Sequence, residues 1–579
     1  MNKSIKLFAI SCVALLSLCG CTKKTEPTPE PTPTPEPEIK VTKKDTVCYF
    51  ATPSNKNMQT LYFLNGKNDI PYLEIKDVCD LLNAYATIGL GLMDYKVTYT
   101  NNNGVFTLSR EDGTTLSIDC LKSTIYSDDY SKFLKYPYQQ NGFDRIAMSG
   151  FESDGVTFRY ITRKDLKTDV FKYGTTTLDF AKYNIPFYYV SEKGYIPVTI
   201  FNNYIAQVLS LVYNNQDSFI VTNADPGDLS DLYYATPKTK FSTEFAEYNY
   251  NTFIASLDYL YGLKDEHHVI NFDTLFASNG YKERLMSTNP QVYDTALAEI
   301  TFGVLGDYHS GFRAHNPYVT KDSPNVDGKA LPANYDAYNQ GKLYSDAREK
   351  YYPNGFVPYE EIGDTAIITF DEFKSSTTKD FYTTTATLDD YLNTLALIQY
   401  SNTQIRRENS PIKNVVLDLS NNGGGEIDAA IYLASWFLGK SIFNISNTLT
   451  KAQGAATYMA DVNLDRKFDE KDNITDLKRF CLTSKNSFSC GNLIPSMFKA
   501  SDQVTLLGKT SGGGTCIVGQ MVTSGGTFIQ FSSPYQMCVV KNGSFYNIDR
   551  GIAPDYDISN PETFYDRQEL VDNYIHKIV

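Results

Sequence analysis

The chain has 579 residues, which is long for one hydrophobic core, and this length predicts about two to four domains. Its composition is that of a globular protein, with 42% hydrophobic and 21% charged residues, and 44 tyrosines stand against a single tryptophan. The formal net charge of −14 argues against a nucleic-acid partner and against adhesion of the folded body to anionic lipid, since both need a basic surface. The tyrosines fit an aromatic core and surface better than glycan binding through ring stacking.

The N-terminus has the pattern of a bacterial lipoprotein signal. After a short positive start, residues 7–18 form an apolar run that is too short to span a bilayer. The Leu-Cys-Gly-Cys sequence at 18–21 then resembles a lipobox, whose last cysteine, Cys21, would be acylated after cleavage. An ordinary secretory signal or a buried helix is the alternative. We predict a signal peptide and lipobox over residues 1–21, lipidation at Cys21, and a location on the bacterial cell envelope, facing outside the cytoplasm.

Residues 22–44 are rich in proline, threonine and glutamate. Such a segment cannot bury apolar surface, so it predicts an extended, semi-rigid linker. A linker of this kind between an anchor and a folded body favours the lipoprotein over both alternatives.

Residues 45–240 predict a β-rich α+β domain. Short alternating segments are separated by Asn, Gly and Asp turns, as in residues 95–113. Two segments, which begin at Asp69 and Lys193, each place an Ile-Pro strand before an amphipathic helix, so an internal duplication is an alternative reading of this domain. No catalytic constellation is visible here, and binding, spacing and substrate presentation all stay open as its role.

The periodicity changes at about residue 241. Apolar residues at spacings of three and four predict a helical subdomain over 241–325, and a polar insert of low structure follows over 326–358. From residue 359 to 579, strands alternate with helices, which predicts an α/β domain with an inner sheet covered by helices.

Two glycine-rich loops and one serine-rich turn follow predicted strands of this last domain. The strand at 415–420 enters Asn-Asn-Gly-Gly-Gly, where backbone N–H groups can face a developing oxyanion and glycine permits close approach. The strand, small-residue turn and helix at 482–499 would place a hydroxyl at a helix N-terminus, where the helix dipole favours an anion. From the residues alone, the nucleophile can be any of Ser484, Ser487, Ser489 and Cys490. The second glycine loop lies at 507–514, and the chain closes with a further motif at 547–558.

These segments, in this order, resemble a superfamily of serine peptidases that includes the C-terminal processing proteases, the tricorn core and the retinoid-binding-protein branch. The resemblance covers about residues 260–579 and implies a ClpP/crotonase-like layered sheet with helices. It also implies that Ser489 is the nucleophile, with Asn492 in place of the usual Glu three residues later. The remaining matches are a D-L-R-x-N-x-G-G pattern with Ser420 for Arg, a G-x-T-x-G-x-G turn and a final G-[VI]-x-P-D, carried by Asp418, Leu419, Asn422, Gly424, Gly425, Gly508 to Gly514 and Gly551 to Asp555.

The resemblance also implies which residue is the general base. The processing branch uses a Lys inside the second glycine turn, but Gly513 occupies that position here, and Lys509 lies outside the motif. The tricorn-like branch takes its base from an upstream D-x-H-[ST] motif, which residues 307–310 match. We therefore expect His309 to take the proton of Ser489 and to pass it to the leaving amine.

An acidic side chain and two backbone donors complete the implied site. Asp549 is the candidate acid, although its register is one residue from the family pattern, and Asp307 is the alternative. The oxyanion donors would be the backbone N–H groups of Gly424 and Cys490. No cofactor is predicted for catalysis.

A separate acidic loop has the spacing of a calcium-binding loop. Oxygen-bearing side chains fall at positions 1, 3, 5, 9 and 12, as in EF-hand and dockerin loops, and position 7 supplies a backbone carbonyl. Arg466 replaces the usual Gly at position 6, and the residue at position 12 is shorter than the usual Glu. A solvated acidic loop is the alternative to a structural Ca²⁺. The candidate ligands are Asp461, Asn463, Asp465, Lys467, Asp469 and Asp472.

Taken with the resemblance, these features predict a membrane-anchored serine endopeptidase that acts on peptides or proteins outside the cytoplasm. Its expected partners are the substrate and, through the lipid, the membrane, with no nucleic acid. Two alternatives stay open: a catalytically inactive peptide- or ligand-binding lipoprotein that retains the fold, and a glycan-binding protein whose function lies in the tyrosine-rich N-terminal half.

Overall fold

A computed structural model describes most of the chain outside its N-terminal segment. Residues 1–37 lie outside the described part, and with them the predicted signal peptide, Cys21 and most of the linker. The chain divides into Met1–Lys40 and a compact unit, Val41–Val579. No helix among the described residues is long and apolar enough to cross a membrane. The described residues are 38–89, 95–135, 158–164, 170–172, 174–206, 209–222, 225–235, 240–321, 332–541 and 543–578.

The part of the chain before residue 240 is rich in strands, with short helices. The elements are β1 Val41–Phe50, β2 Thr52–Leu64, β3 Tyr72–Glu74, α1 Ile75–Ala84, β4 Val97–Asn102, β5 Val105–Arg110, β6 Thr115–Asp119, β7 Thr124–Ser127, α2 Tyr130–Phe133, β8 Ile161–Lys164, β9 Val170–Lys172, β10 Thr176–Asp179, β11 Tyr188–Val190, β12 Lys193–Pro197, α3 Val198–Ile200, β13 Ser210–Tyr213, β14 Ser218–Val221 and α4 Ser230–Tyr233. A seven-stranded sheet has the order β11-β12-β3-β2-β1-β14-β13, and a five-stranded sheet has the order β10-β7-β6-β5-β4.

The two similar Ile-Pro segments lie side by side in the first sheet. Strand β12 pairs antiparallel with β3, so that Ile196 lies opposite Leu73 and Pro197 lies opposite Tyr72. Each strand leads directly into a helix, α3 and α1. The arrangement agrees with the idea of a duplication, which stays a prediction.

Helices dominate from residue 243 to 351, as the periodicity predicted for most of this stretch. Ser242 is the N-cap of the helix over Thr243–Leu260, because its side chain accepts the Phe245 N–H. The elements are α5 Thr243–Leu260, α6 Phe272–Ser278, α7 Lys282–Leu285, α8 Pro290–Glu299, β15 Gly311–Ala314 and α9 Pro332–Tyr351.

Helix α9 corrects the expectation that the insert over 326–358 has little structure. Its exposed surface is polar, so the sequence lacks the apolar stripe that signals a helix. The helix is held by few buried side chains, among them Tyr344 and Ala347, which pack against the core under the parallel sheet.

The C-terminal part alternates strands and helices, which confirms the predicted α/β class for this region. Its central strands are continuous buried apolar runs, as expected for parallel strands covered on both faces. The elements are β16 Tyr359–Ile362, β17 Thr365–Thr369, α10 Thr394–Ile405, β18 Asn414–Asp418, α11 Ile427–Leu438, β19 Ser441–Asn447, β20 Gln453–Ala460, β21 Lys478–Thr483, α12 Cys490–Ser501, β22 Thr505–Gly508, β23 Cys516–Val522, β24 Phe528–Lys541, β25 Ser544–Asn547, β26 Tyr556–Asp557, α13 Glu562–Tyr565 and α14 Arg567–Leu570.

The order of the six-stranded sheet brings the sequence motifs together. Its order is β16-β17-β18-β21-β22-β26, with β17 to β26 parallel and β16 antiparallel. Asp418 at the end of β18 pairs with Leu482, and Thr483 at the end of β21 pairs with Gly508. Because carboxyl ends of parallel strands share one edge, the first glycine loop, the serine turn and the second glycine loop all leave the sheet there.

A second large sheet joins early and late parts of the chain. Its order is β15-β24-β19-β20-β8, with β23 and β25 on β24 and β9 on β20. Strand β8 comes from the N-terminal half, and Ile161 in this strand lies opposite Ala460 of β20. The domain limits at 240, 325 and 358 therefore stay a prediction from the sequence, and strand pairing crosses the first of them.

Candidate active site

Ser489 sits in a strained conformation at the start of a helix. Its backbone has φ 57° and ψ −119°, in a region that non-glycine residues rarely adopt, and α12 begins at Cys490. The Ser489 N–H donates to the carbonyl of Gly513 at 2.9 Å, and the Ser489 carbonyl accepts the Leu493 N–H at 2.8 Å. A half-buried serine on such a turn is exposed to a substrate on one side and to the helix dipole on the other.

The other two serines of the turn have structural roles. Both are fully buried, with 0% exposure. The Ser484 hydroxyl donates to the carbonyl of Ser420, and the Ser487 hydroxyl donates to the carbonyl of Leu419 at 2.7 Å. The structure therefore distinguishes Ser489 from the neighbours that the residues alone, without the family resemblance, left equivalent.

Cys490 is poorly suited to be a nucleophile. Its side chain is buried with Sγ 3.2 Å from the carbonyl oxygen of Gly425, and burial raises the pKa of the thiol to about 12. The thiolate, which is the reactive form, is therefore scarce at neutral pH.

The first glycine loop lies against Ser489. A Cβ on Gly424, whose φ is +107°, would fall 2.6 Å from Ser489 Cβ and 3.1 Å from the Cys490 nitrogen. The Gly424 N–H donates to Asn422 Oδ1 at 3.0 Å, so this predicted oxyanion donor already has a side-chain acceptor. The Cys490 N–H is the first of α12 and has no acceptor within the helix, which suits it to an incoming oxyanion.

His309 lies in a buried position just before β15. Its backbone N–H donates to Asp307 Oδ1 at 2.9 Å, and its carbonyl accepts from Gln530 Nε2 at 2.8 Å. Nδ1 is 3.5 Å from Ser532 Oγ, and Nε2 is buried with no hydrogen-bond partner among the described residues. The ring packs on Phe488, with 4.7 Å between the ring centroids.

The fold thus brings two distant motifs together. His309 contacts Phe488, the residue before Ser489, although 180 positions separate the histidine and the serine. No hydrogen bond joins Ser489 Oγ to Nε2 in the described structure, so the catalytic pair stays a prediction. Contacts of this kind often tighten only when substrate binds.

Burial keeps the imidazole neutral. Desolvation lowers the pKa of His309 below its ordinary range, while the negative charges of Asp307 and Asp549 act in the opposite direction. The Asp307 carboxylate holds the loop, since it accepts the His309 N–H and the Ser310 hydroxyl. Asp549 Oδ1 accepts the Thr515 N–H at 3.2 Å, and Asp549 acts on the imidazole through its charge.

Ser532 is a neighbour of the imidazole that the sequence did not indicate. It lies on β24, which pairs with β15, and this pairing brings its hydroxyl to Nδ1 of His309. Nothing in the alternating pattern of β24 distinguishes this serine from the next one, so only the strand register reveals it.

A lysine base has no place in this site. Gly513 has φ +89°, and a Cβ there would fall 1.8 Å from the carbonyl oxygen of Asp549. The ammonium of Lys509 donates to both carboxylate oxygens of Asp557, at 2.8 and 2.6 Å. This geometry agrees with the sequence argument against a Ser–Lys dyad.

The acidic loop at 461–472 follows β20 and precedes β21 in the chain. Among the described residues, no group of three or more His, Cys, Asp or Glu side chains converges as a metal site. Asp472 Oδ1 accepts the N–H groups of Val462 and Asn463, and its Oδ2 accepts that of Asp469. Asp472 therefore closes the loop through hydrogen bonds to the backbone.

A strained serine at a helix start, beside a glycine loop and a buried histidine, is an arrangement typical of serine hydrolases. Residues 364–558 match the family model of Peptidase family S41. The match agrees with the predicted resemblance of these motifs to the tail-specific protease superfamily of serine peptidases. His309 lies outside the matched residues.

Two proteins described as probable CtpA-like serine proteases are also similar in sequence to this chain. Those of Staphylococcus saprophyticus and Staphylococcus epidermidis are 22% identical to this chain over 205 and 206 residues. The matches cover 35% and 36% of this chain and 36% of each relative, so the chain spans about a third of the length of the curated relatives. A solved lipoprotein from Streptococcus agalactiae is similar over 57% of this chain and 96% of its own, with 15% identity and a TM-score of 0.34.

Proposed function

We propose that this protein is a serine endopeptidase that hydrolyses peptide bonds through Ser489, with His309 as the base. The conformation of Ser489 carries the proposal. A non-glycine residue at φ 57° costs free energy that the surrounding structure must supply, and such strain is concentrated at functional sites.

The mechanism is acyl transfer. Ser489 Oγ attacks the carbonyl carbon of the peptide while Nε2 of His309 takes its proton. The Cys490 N–H donates to the oxygen of the tetrahedral intermediate. When the intermediate collapses, the C–N bond breaks and the imidazolium gives its proton to the leaving amine. Water, deprotonated by His309, then attacks the carbonyl carbon of the acyl-enzyme. The ester C–O bond to Ser489 Oγ breaks, the imidazolium returns its proton to that oxygen, and the second product leaves as a carboxylic acid.

Two carboxylates near His309 stabilise its protonated form during the reaction. Asp549 and Asp307 both favour the imidazolium that forms after proton transfer. Asp549 is the proposed acid of the site, because both oxygens of Asp307 already bind the loop that holds His309.

The location follows from the N-terminal sequence. Acylation of Cys21, followed by the linker over 22–44, would hold the peptidase at a membrane of the cell envelope, outside the cytoplasm. Its substrates would be peptides or proteins in that compartment. The sequence pattern of residues 1–44 supports this part of the proposal.

A second candidate function is binding without cleavage. The absence of a hydrogen bond to Nε2 of His309 in the described structure favours it, since an inactive protein that retained the fold would not need this contact with Ser489. Such a protein would hold a peptide in the same site and leave it intact.

A fluorophosphonate probe distinguishes the two functions, because it modifies only a serine that a base activates. We expect the full chain to be labelled, Ser489→Ala to be unlabelled, and His309→Ala to react slower by several orders of magnitude, since base and nucleophile act as a unit. Lys509→Ala is the matched control, and its labelling should equal that of the parent protein. An unlabelled parent protein would support the binding function instead, whereas full labelling of His309→Ala would show that another group activates Ser489 and that His309 is not the base.

A further inference from the structure

Asp461 begins the acidic loop in an unusual environment for a carboxylate. It follows β20 directly, and its side chain is fully buried, with 0% exposure. Oδ2 accepts the Arg466 N–H and the Tyr382 hydroxyl, each at 2.9 Å. Oδ1 is buried and has no hydrogen-bond partner among the described residues.

An unpaired, buried carboxylate oxygen requires an explanation. A charged oxygen removed from water without a partner is costly, and proteins satisfy such atoms with a donor or a cation. The Arg466 N–H lies across the loop, five residues further on, so the Asp461 carboxylate points into the loop. The unpaired Oδ1 belongs to the same carboxylate, whose other oxygen bonds across the loop to the Arg466 N–H.

The backbone of the loop has the turns that a calcium-binding loop needs. Leu464 and Arg466 both adopt left-handed conformations, with φ 62° and 61°. Arg466 occupies position 6, where glycine normally provides this conformation. The replacement of glycine by Arg466 has therefore not altered the turn, and the guanidinium lies over the ring of Tyr382, 3.9 Å from its centroid.

Two further side chains with oxygen atoms lie on the same stretch. Asn463 Oδ1 accepts the Asp465 N–H and Asp465 Oδ1 accepts the Lys467 N–H, each at 2.9 Å, in two successive turns that follow Asp461. Asp469 and Asp472, by contrast, accept backbone N–H groups at the far end of the loop.

We propose that this loop binds one Ca²⁺ ion through Asp461 Oδ1, Asn463, Asp465 and the carbonyl of Lys467. Water completes the coordination, since calcium accepts six to eight oxygen ligands from carboxylates, carbonyls and water. Five acidic and three basic residues give the loop a net charge of −2. With two carboxylates on the ion, we expect affinity of about 10⁻⁴ to 10⁻³ M, the range of extracellular calcium modules. The site is independent of the proposed peptidase activity.

The experiment is thermal unfolding and calorimetry of the full chain after treatment with a chelator. Addition of about 5 mM CaCl₂, above the expected dissociation constant, should raise Tm by several degrees and release or absorb heat with a stoichiometry near one. The same concentration of MgCl₂ should have a smaller effect, because Mg²⁺ demands a regular octahedral site.

Two variants of the same loop test the assignment. Asp465→Ala removes a proposed ligand from an exposed position, and it should keep the Tm of the calcium-free parent and lose the response to calcium. Glu470→Ala removes an equal charge from an exposed position outside the ligand set, and it should respond as the parent does. The proposal is wrong if the parent protein shows neither heat nor a Tm shift, or if Asp465→Ala and the parent respond equally.

Discussion

At the scale of single residues, the site is organised around a serine whose conformation costs free energy. A strained φ at a non-glycine residue costs of the order of 1–3 kcal/mol. Backbone hydrogen bonds on both sides of Ser489, to Gly513 and from Leu493, hold it in place. The result is a hydroxyl presented at a helix start, next to a histidine that burial keeps neutral.

The pH dependence of activity should reflect that burial. Because desolvation lowers the pKa of His309, the base stays neutral to more acidic pH, and the acidic limb of kcat/KM should lie below about 6.5. Asp549 raises this pKa, so Asp549→Asn should move the acidic limb further down. The pH–rate profile of a peptide substrate measures both effects.

A matched control separates this effect from a general change in charge. Asp557→Asn removes a carboxylate that is exposed and pairs with Lys509, and the acidic limb should not move. An acidic limb above 6.5, or one that Asp549→Asn leaves in place, would contradict the assigned roles of His309 and Asp549.

Some of these residues were accessible from the sequence and others were not. Ser489, His309 and Gly424 belong to short motifs, in which spacing along the chain reflects a local turn. Ser532 and the closeness of Asp549 depend on which strands pair, and Ser484 and Ser487 differ from Ser489 only in where their hydroxyls point. Strand pairing and side-chain direction are set by the whole fold and produce no recognisable pattern in the local sequence.

At the scale of elements, the parallel sheet creates the site by ending three strands at one edge. The glycine loop after β18 meets the serine turn after β21. Gly491 in α12 lies against the carbonyl oxygen of Asn422, and a Cβ added to Gly491 would fall 2.4 Å from that oxygen. This close approach demands glycine, which explains why both segments contain small residues.

Two adjacent glycines, Gly423 and Gly424, allow a matched test of the close contact between the first glycine loop and Ser489. A Cβ on Gly424 would meet Ser489 Cβ at 2.6 Å in a backbone conformation with φ +107°, whereas a Cβ on Gly423 would have no atom within 4 Å. Gly424→Ala should therefore lower kcat by about 10²-fold, comparable to the loss of an oxyanion donor. Gly423→Ala should retain nearly full activity. Kinetics with a peptide substrate, together with Tm values to exclude unfolding, would compare them, and equal activities would show that the loop does not shape the site.

Helix α9 shows where sequence periodicity fails at this scale. Helix α11 is almost wholly apolar and the middle of β18 is apolar, so their buried positions follow from composition. Helix α9 instead approaches the serine turn through a glycine, and Asn486 Nδ2 donates to the carbonyl of Gly341 at 2.8 Å. A helix attached by a few buried side chains, such as Tyr344 and Ala347, and by polar contacts has no continuous apolar stripe to detect.

At the scale of the whole molecule, the N-terminal half takes part in the core of the peptidase. Phe158, Tyr160 and Ile161 are buried in the same cluster as the helices and strands that carry the site. The Tyr160 hydroxyl accepts the Phe381 N–H at 2.9 Å. A change of periodicity near residue 241 suggested a separate domain, but buried contacts and strand pairing link the two sides.

Truncation measures how far the two halves depend on each other. A chain of residues 241–579 would lose Phe158, Tyr160 and strand β8, which would expose the edge of β20 and leave a large cavity in the core. Removal of one such buried aromatic side chain alone lowers the free energy of unfolding by about 3–5 kcal/mol. We expect this fragment to be insoluble or to unfold without a cooperative transition. A chain of residues 41–579, which retains the whole compact unit, should melt in one cooperative transition and keep its reactivity towards fluorophosphonate. Circular dichroism melting and probe labelling of the two chains decide the question. If residues 241–579 alone fold cooperatively and react, the N-terminal half is a separate domain, and its strands merely lie beside a peptidase that is complete without them.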